Sequence, residues 1–190
     1  MKVKLWTIQD EKGWKELNSK GILIAKEEFV PPEFKKGYNW LKTQMNQRIG
    51  EPKNSKQYPI WAWFQHDTKN KKRPDLRGTG HLPTGKIGYR IEIEKDLKEI
   101  LLSDFELWHY VLNGWYLALS ETSGKIFDEK KKHESIKSLK SKMKESWGII
   151  FDMGFHLTDY ASPYDKKSIQ ATFWELKREE IIKVDKFTAR

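Results

Sequence analysis

Residues 58–77 read YPIWAWFQHDTKNKKRPDLR. Ile60, Ala62 and Phe64 alternate with Trp61, Trp63 and Gln65, a period of two that predicts a strand with both tryptophans on one face. A basic, proline-marked loop follows at once, carrying Lys69, Lys71, Lys72, Arg73 and Arg77. Flat aromatic surface beside fixed positive charge suits a ligand with both rings and phosphates, a nucleotide or a nucleic acid. A tryptophan-rich core strand that runs into a solvated loop would read the same way, and for either tryptophan alone that is the commoner explanation.

Residues 66 to 86 contain no periodic segment, and a loop of that length inside a compact domain is usually functional or mobile. Gly88 to Glu94 alternates as a strand, with Tyr89, Ile91 and Ile93 facing one way and Arg90, Glu92 and Glu94 the other. Toward the N-terminus, Pro31 and Pro32 open a helix expected over about residues 33–48, closed by Gly50 and Pro52. The first 25 residues read strand, helix, strand: Lys2 to Ile8 alternate, Asp10 can cap the helix, and Gly21 can end it in a left-handed cap. Beyond residue 100, Ser103 or Asp104 can cap a helix bearing Leu107, Trp108, Val111, Leu112 and Trp115 on a broad apolar face. Residues 120–133 read as a polar linker and Ser135 to Trp147 as a basic helix. Ile169 to Leu176 and Ile181 to Phe187 read as two closing strands. Helices and strands alternate without a regular βαβ period, so the expected class is α+β, a compact single domain over residues 1–190 with a mixed or antiparallel sheet and flanking helices.

Composition bounds the chemistry. The 190 residues contain nine tryptophans but no cysteine, which excludes disulfides, thiolate catalysis and cysteine-based zinc sites and is compatible with a cytoplasmic location. The first residues carry no long apolar run after their lysines, so no signal peptide is expected, and no apolar stretch is long enough for a membrane span. The net charge of +9 favours anionic partners. Residues 125–144 alone hold eight lysines against Asp128, Glu129 and Glu134, a candidate nucleic-acid contact or simply a solvated helix face. None of the five histidines shows a metal-binding spacing, so no metal site is expected. Asp104 has a ready role as a helix cap, whereas Glu175 can point into a cleft or pair with Lys177 or Arg178. Oligomeric state leaves no trace in the pattern.

The strings KLWTIQ, YPIWAWFQ, RPDLR, LLSDFELWHYVLNGWYL and IQATFWEL, spread from end to end of the chain, resemble a bacterial family of unknown function. A more distant resemblance is to compact bacterial ADP-ribosyltransferase-like folds. Those open with a strand, a helix and a G-x-L strand start, as do Leu5 to Gln9, Trp14 to Lys20 and Gly21-Ile22-Leu23 here, and they close with an acid-bearing strand, a turn and a last strand. That resemblance implies NAD as the nucleotide, with Thr7 and Gln9 on the nucleotide-binding strand, Trp61 and Trp63 nearby, and Arg73 or Arg77 toward phosphate. It places Gln170 where the catalytic glutamate is expected, with Glu175 five residues later. A site built on Gln170 would bind a nucleotide or act on another bond rather than carry out ordinary transfer. The readings that stand beside it are a non-catalytic basic nucleic-acid-binding module and an interaction domain whose tryptophans are all core.

Overall fold

The computed structural model describes residues 1–158 and 160–190. The chain runs β1 (Lys2–Asp10), α1 (Glu11–Lys20), β2 (Ile22–Leu23), β3 (Ala25–Lys26), α2 (Lys35–Ile49), β4 (Gln57–Tyr58), β5 (Ile60–Gln65), β6 (Ile87–Asp96), β7 (Leu101–Asp104), α3 (Phe105–Asn113), α4 (Glu121–Lys131), α5 (Ile136–Ser146), β8 (Ile169–Phe173), β9 (Leu176–Lys177) and β10 (Ile181–Thr188). Six strands form one sheet in the order β10-β6-β1-β5-β8-β7, and its neighbours pair antiparallel throughout. Two-stranded sheets β2-β9 and β3-β4 flank it. The fold is therefore α+β with an antiparallel sheet and flanking helices.

Local signals place the first elements. Asp10 accepts a hydrogen bond from the Gly13 amide and caps α1, and Gly21 closes that helix with φ of 75°. On β1, Leu5 points into a core of Ile60, Ala62, Ile91, Ile93, Ala171 and Phe173 that α1 covers with Leu17. The opposite face divides in two. Over β5, β8 and β7 it is sealed by α2, α3 and the turn at Trp147–Phe151, through Leu41, Met45, Trp108, Val111, Trp147 and Ile150. Over β1, β6 and β10 it presents Lys4, Trp6, Arg90, Glu92 and Asp185, which border an open groove.

Four expectations need correction. Helix α3 ends at Asn113, where Gly114 turns the chain with φ of 65°, so Trp115 lies past the helix and is exposed rather than on its apolar face. Residues 120–133 are not a linker, since α4 occupies most of them: Ser120 caps it reciprocally with Ser123, and Phe127 is buried in a parallel stack on Tyr116 with centroids 3.9 Å apart. Its single buried aromatic per three turns leaves almost no amphipathic period to detect. The alternation of β5 holds through Phe64 and fails at Gln65, because a register shift between Trp63 and Gln65 turns that amide into the buried interior, where it donates to the carbonyls of Tyr164 and Lys167. The strand expected over Ile169 to Leu176 breaks after Phe173, and Leu176 and Lys177 leave to pair with β2.

The long 66–86 loop is anchored at several points. His66 and Asp67 donate to the carbonyls of Lys72 and Lys71, Lys69 donates to Asp165, and Gly85 and Lys86 bond Ala189. Gly88 lets the end of the loop lie against β10: a Cβ there would stand 2.6 Å from Leu82 and from the Phe187 ring.

Candidate functional site

Register decides which side chains share the open half of the sheet. Trp6 lies opposite both Trp63 on β5 and Glu92 on β6, and residues directly opposite in an antiparallel pair point to the same side. Arg90 and Glu92 are two apart on β6, so both join that side. The basic loop rises along it, and the two together bound a groove of about 1120 Å³. Lys69, Lys71, Lys72, Arg73 and Arg77 line its wall, while Lys4, Trp6, Arg90 and Glu92 make its floor. Seven basic side chains against Asp67, Asp75 and Glu92 leave a local surplus of four positive charges.

Not all of that charge is available. Arg90 is almost wholly buried, donating through Nε and Nη2 to Asp185 Oδ2 at 3.2 and 2.6 Å and through Nη1 to the Pro74 carbonyl at 2.5 Å. It clamps the loop to the sheet. Arg77 holds Asp75 through both oxygens, at 2.6 to 3.1 Å, and this hydrogen bonding keeps the Asp75 carboxyl far below the usual carboxylate range. Lys71 pairs with Asp67 at 3.2 Å and Lys4 with Glu92 at 3.2 Å. Lys69, Lys72 and Arg73 are left without a carboxylate partner among the described residues, and Lys72 lies 5.3 Å over the Phe64 ring. On the floor, Glu92 accepts from the Trp6 indole at 3.2 Å and is only 15% exposed, a carboxylate with one oxygen toward the ring and the other toward Lys4.

Aromatic rings connect the groove to the helical layer. His66, on the groove wall, meets Trp63 edge-on at 4.7 Å; Trp63 meets Phe105 at 5.0 Å, and Phe105 meets His109 at 4.8 Å. His66 is half-buried, and loss of water, reinforced by nearby His81, lowers its pKa, which favours the neutral ring.

The residues expected to form the site are distributed over several places. Arg73 and Arg77 line the groove. Trp61 and Trp63 share a sheet face with Trp6, but Trp61 is packed under α2 and α3 against Tyr38 and Trp108 at 6.0 and 5.1 Å. Gln170 lies opposite Trp63 on the same face, outside the groove lining. Thr7 and Gln9 are on the other face, beneath α1. The Thr7 hydroxyl donates to the Trp61 carbonyl at 2.8 Å and accepts from Gln9 at 2.7 Å, so it ties β1 to β5. Glu175 lies beyond the end of β8, ion-paired with Lys53 at 3.1 Å and Lys177 at 3.6 Å. The sequence reading missed Lys4, Trp6, Arg90, Glu92 and His66. The alternation of β1 and β6 had already put the first four on polar or outward faces; the pairing of those two strands with each other was the absent information.

Among the described residues no group of three or more acidic or histidine side chains could hold a metal ion, and no helix is long and apolar enough to cross a membrane. A family model described as "Domain of unknown function (DUF3841)" matches residues 4–182. No curated protein and no solved structure matches the chain.

Proposed function

We propose that this chain, which belongs to the DUF3841 family, binds a nucleotide of the NAD class in the groove over β1 and β6. One observation carries the reading: a groove of about 1120 Å³ combines the Trp6 ring on its floor with a surplus of three positive charges around it once Arg90 is counted with its partner Asp185. Lys69, Lys72 and Arg73 have no carboxylate partner among the described residues and are the groups for the phosphates. The Trp6 indole supplies a flat surface for a base, and Glu92 beside it accepts hydrogen bonds from ribose hydroxyls or a base amine. Bound NAD would bring a cleavable nicotinamide–ribose bond. An ADP-ribosyltransferase-like activity, the finer form of this reading, needs a carboxylate near that ribose to stabilise developing positive charge. Glu92, which lines the groove, is the carboxylate we assign to that role; Gln170 and Glu175 stand outside the groove lining.

Calorimetric titration of NAD, ADP-ribose and pyrophosphate tests the reading. Saturable binding is expected, weakened about tenfold by Arg73→Ala, as for loss of one charge-assisted hydrogen bond. Nicotinamide release by the wild type, lost in Glu92→Gln and kept in Gln170→Ala and Glu175→Gln, would establish the transferase form. Absence of any saturable heat at millimolar ligand would refute the groove as a nucleotide site.

A further inference from the structure

Eight lysines between residues 125 and 144 look alike in the sequence, but the fold sorts them. Lys125, Lys131 and Lys132 are neutralised by Glu121, Asp128 and Glu129 at 2.6 to 2.7 Å, and Lys142 by Glu134. Lys130, on α4, has no carboxylate partner among the described residues, and neither do three lysines of α5, Lys137, Lys140 and Lys144. They recur at three- and four-residue intervals on α5, so they lie along one side of the helix. With Ile136 and Ser141 they line one shallow surface. At 1.5 Å rise per residue the three span about 10 Å along the axis.

Next to this stripe stands Trp115, 57% exposed. Its backbone is held on both sides: its amide donates to the Tyr110 carbonyl at 2.8 Å, and its carbonyl accepts from the Trp147 indole at 2.6 Å. Gly114, with φ of 65°, ends α3 and turns the chain outward at this point. The ring meets Tyr110 edge-on at 5.9 Å. A hollow of about 520 Å³ is lined jointly by Trp115, Ile136 and Lys140, so the ring and the stripe belong to one surface. A backbone held this firmly beneath an exposed indole offers a stacking platform.

We propose that Trp115 together with Lys137, Lys140 and Lys144 forms a binding site for single-stranded nucleic acid, a base stacking on the indole and successive phosphates lying along the ammonium groups. Single strands fit because their bases expose their faces, which duplexes hide. An anionic bilayer would need one continuous apolar plane. Here the exposed apolar side chains are split between two hollows, Trp115 and Ile136 lining one and Leu119 and Ile126 the other.

Fluorescence anisotropy with a labelled oligothymidine of about 20 nucleotides, long enough to cover the site, tests this at several salt concentrations. Three phosphate contacts predict a slope of log affinity against log salt of about −2. Trp115→Ala should weaken binding about 5- to 100-fold with the slope kept, and Trp115→Phe should restore most of the loss. Lys137→Glu, Lys140→Glu and Lys144→Glu combined should abolish binding, while Lys125→Glu with Lys132→Glu should leave it near wild type. Thermal melts confirm that each variant is folded. The proposal is overturned by no saturable binding of the wild type, by undiminished binding in the triple variant, by equal loss in the paired-lysine control, by preference for duplex, or by capture on phosphatidylserine vesicles alone.

Discussion

Arg90 shows how one side chain can serve both stability and site. It is 93% buried, which a guanidinium tolerates only when its donors are filled, and Asp185 and the Pro74 carbonyl fill them. The hydrogen bond from Arg90, with Lys183 adding to it, lowers the Asp185 pKa from its ordinary value of 3.8. A depressed carboxylate contributes stability that is complete above its unfolded pKa and is lost as pH falls through its folded value. Asp185→Asn should therefore cost about 2 kcal/mol at pH 7. The gap from wild type should narrow below about pH 4 as the wild-type carboxyl takes up a proton. Urea unfolding from pH 7 to pH 2.5 measures this, and a gap that stayed constant over that range would show that the ion pair is not its source. Nothing near position 90 or 185 in the sequence announces the pair; ninety-five residues separate them, and only the β6-β10 register joins them.

At the scale of elements, the start of α3 joins a cap to a buried ion pair. Asp104 accepts the Glu106 and Leu107 amides at 3.0 and 3.2 Å through one oxygen and Lys167 at 2.5 Å through the other. Both side chains are almost wholly enclosed. The capping half was readable, because an aspartate before an amphipathic run is a local signal. The lysine was not, because its partner lies 63 residues away across the β7-β8 pairing. Asp104→Ala should cost roughly 3–5 kcal/mol, since it removes the cap and strands a buried ammonium. The double variant with Lys167→Met should recover part of that loss. Equilibrium unfolding of the two variants decides it: a double variant no more stable than the single would mean that the cap alone matters. Helix α4 shows the converse, an element hidden because what holds it is Tyr116 stacking on Phe127 and a serine cap.

Across the whole molecule one sheet faces three environments: an aliphatic core under α1, an aromatic core under α2 and α3, and an open charged half over β1, β6 and β10. The open half is where a ligand can act on global stability. Occupancy at about one hundred times the dissociation constant adds about 2.7 kcal/mol, which raises the melting temperature of a chain this size by about 5–10 °C. Differential scanning fluorimetry with NAD and with pyrophosphate reads that shift, and a flat response at millimolar ligand would argue against the groove. The sequence by itself determined the α+β class, the caps of α1 and α3, the facing of β1 and β6, and the basic loop beside an aromatic strand, because each depends on residues a few positions apart. Only the folded chain brings Trp6 and Glu92 together on the groove floor, turns Thr7 and Gln9 away from Trp61 and Trp63, and leaves Lys137, Lys140 and Lys144 without a carboxylate partner among the described residues. Those outcomes depend on strand order, register and which charges come within bonding reach, and contacts between distant residues leave no mark in local pattern.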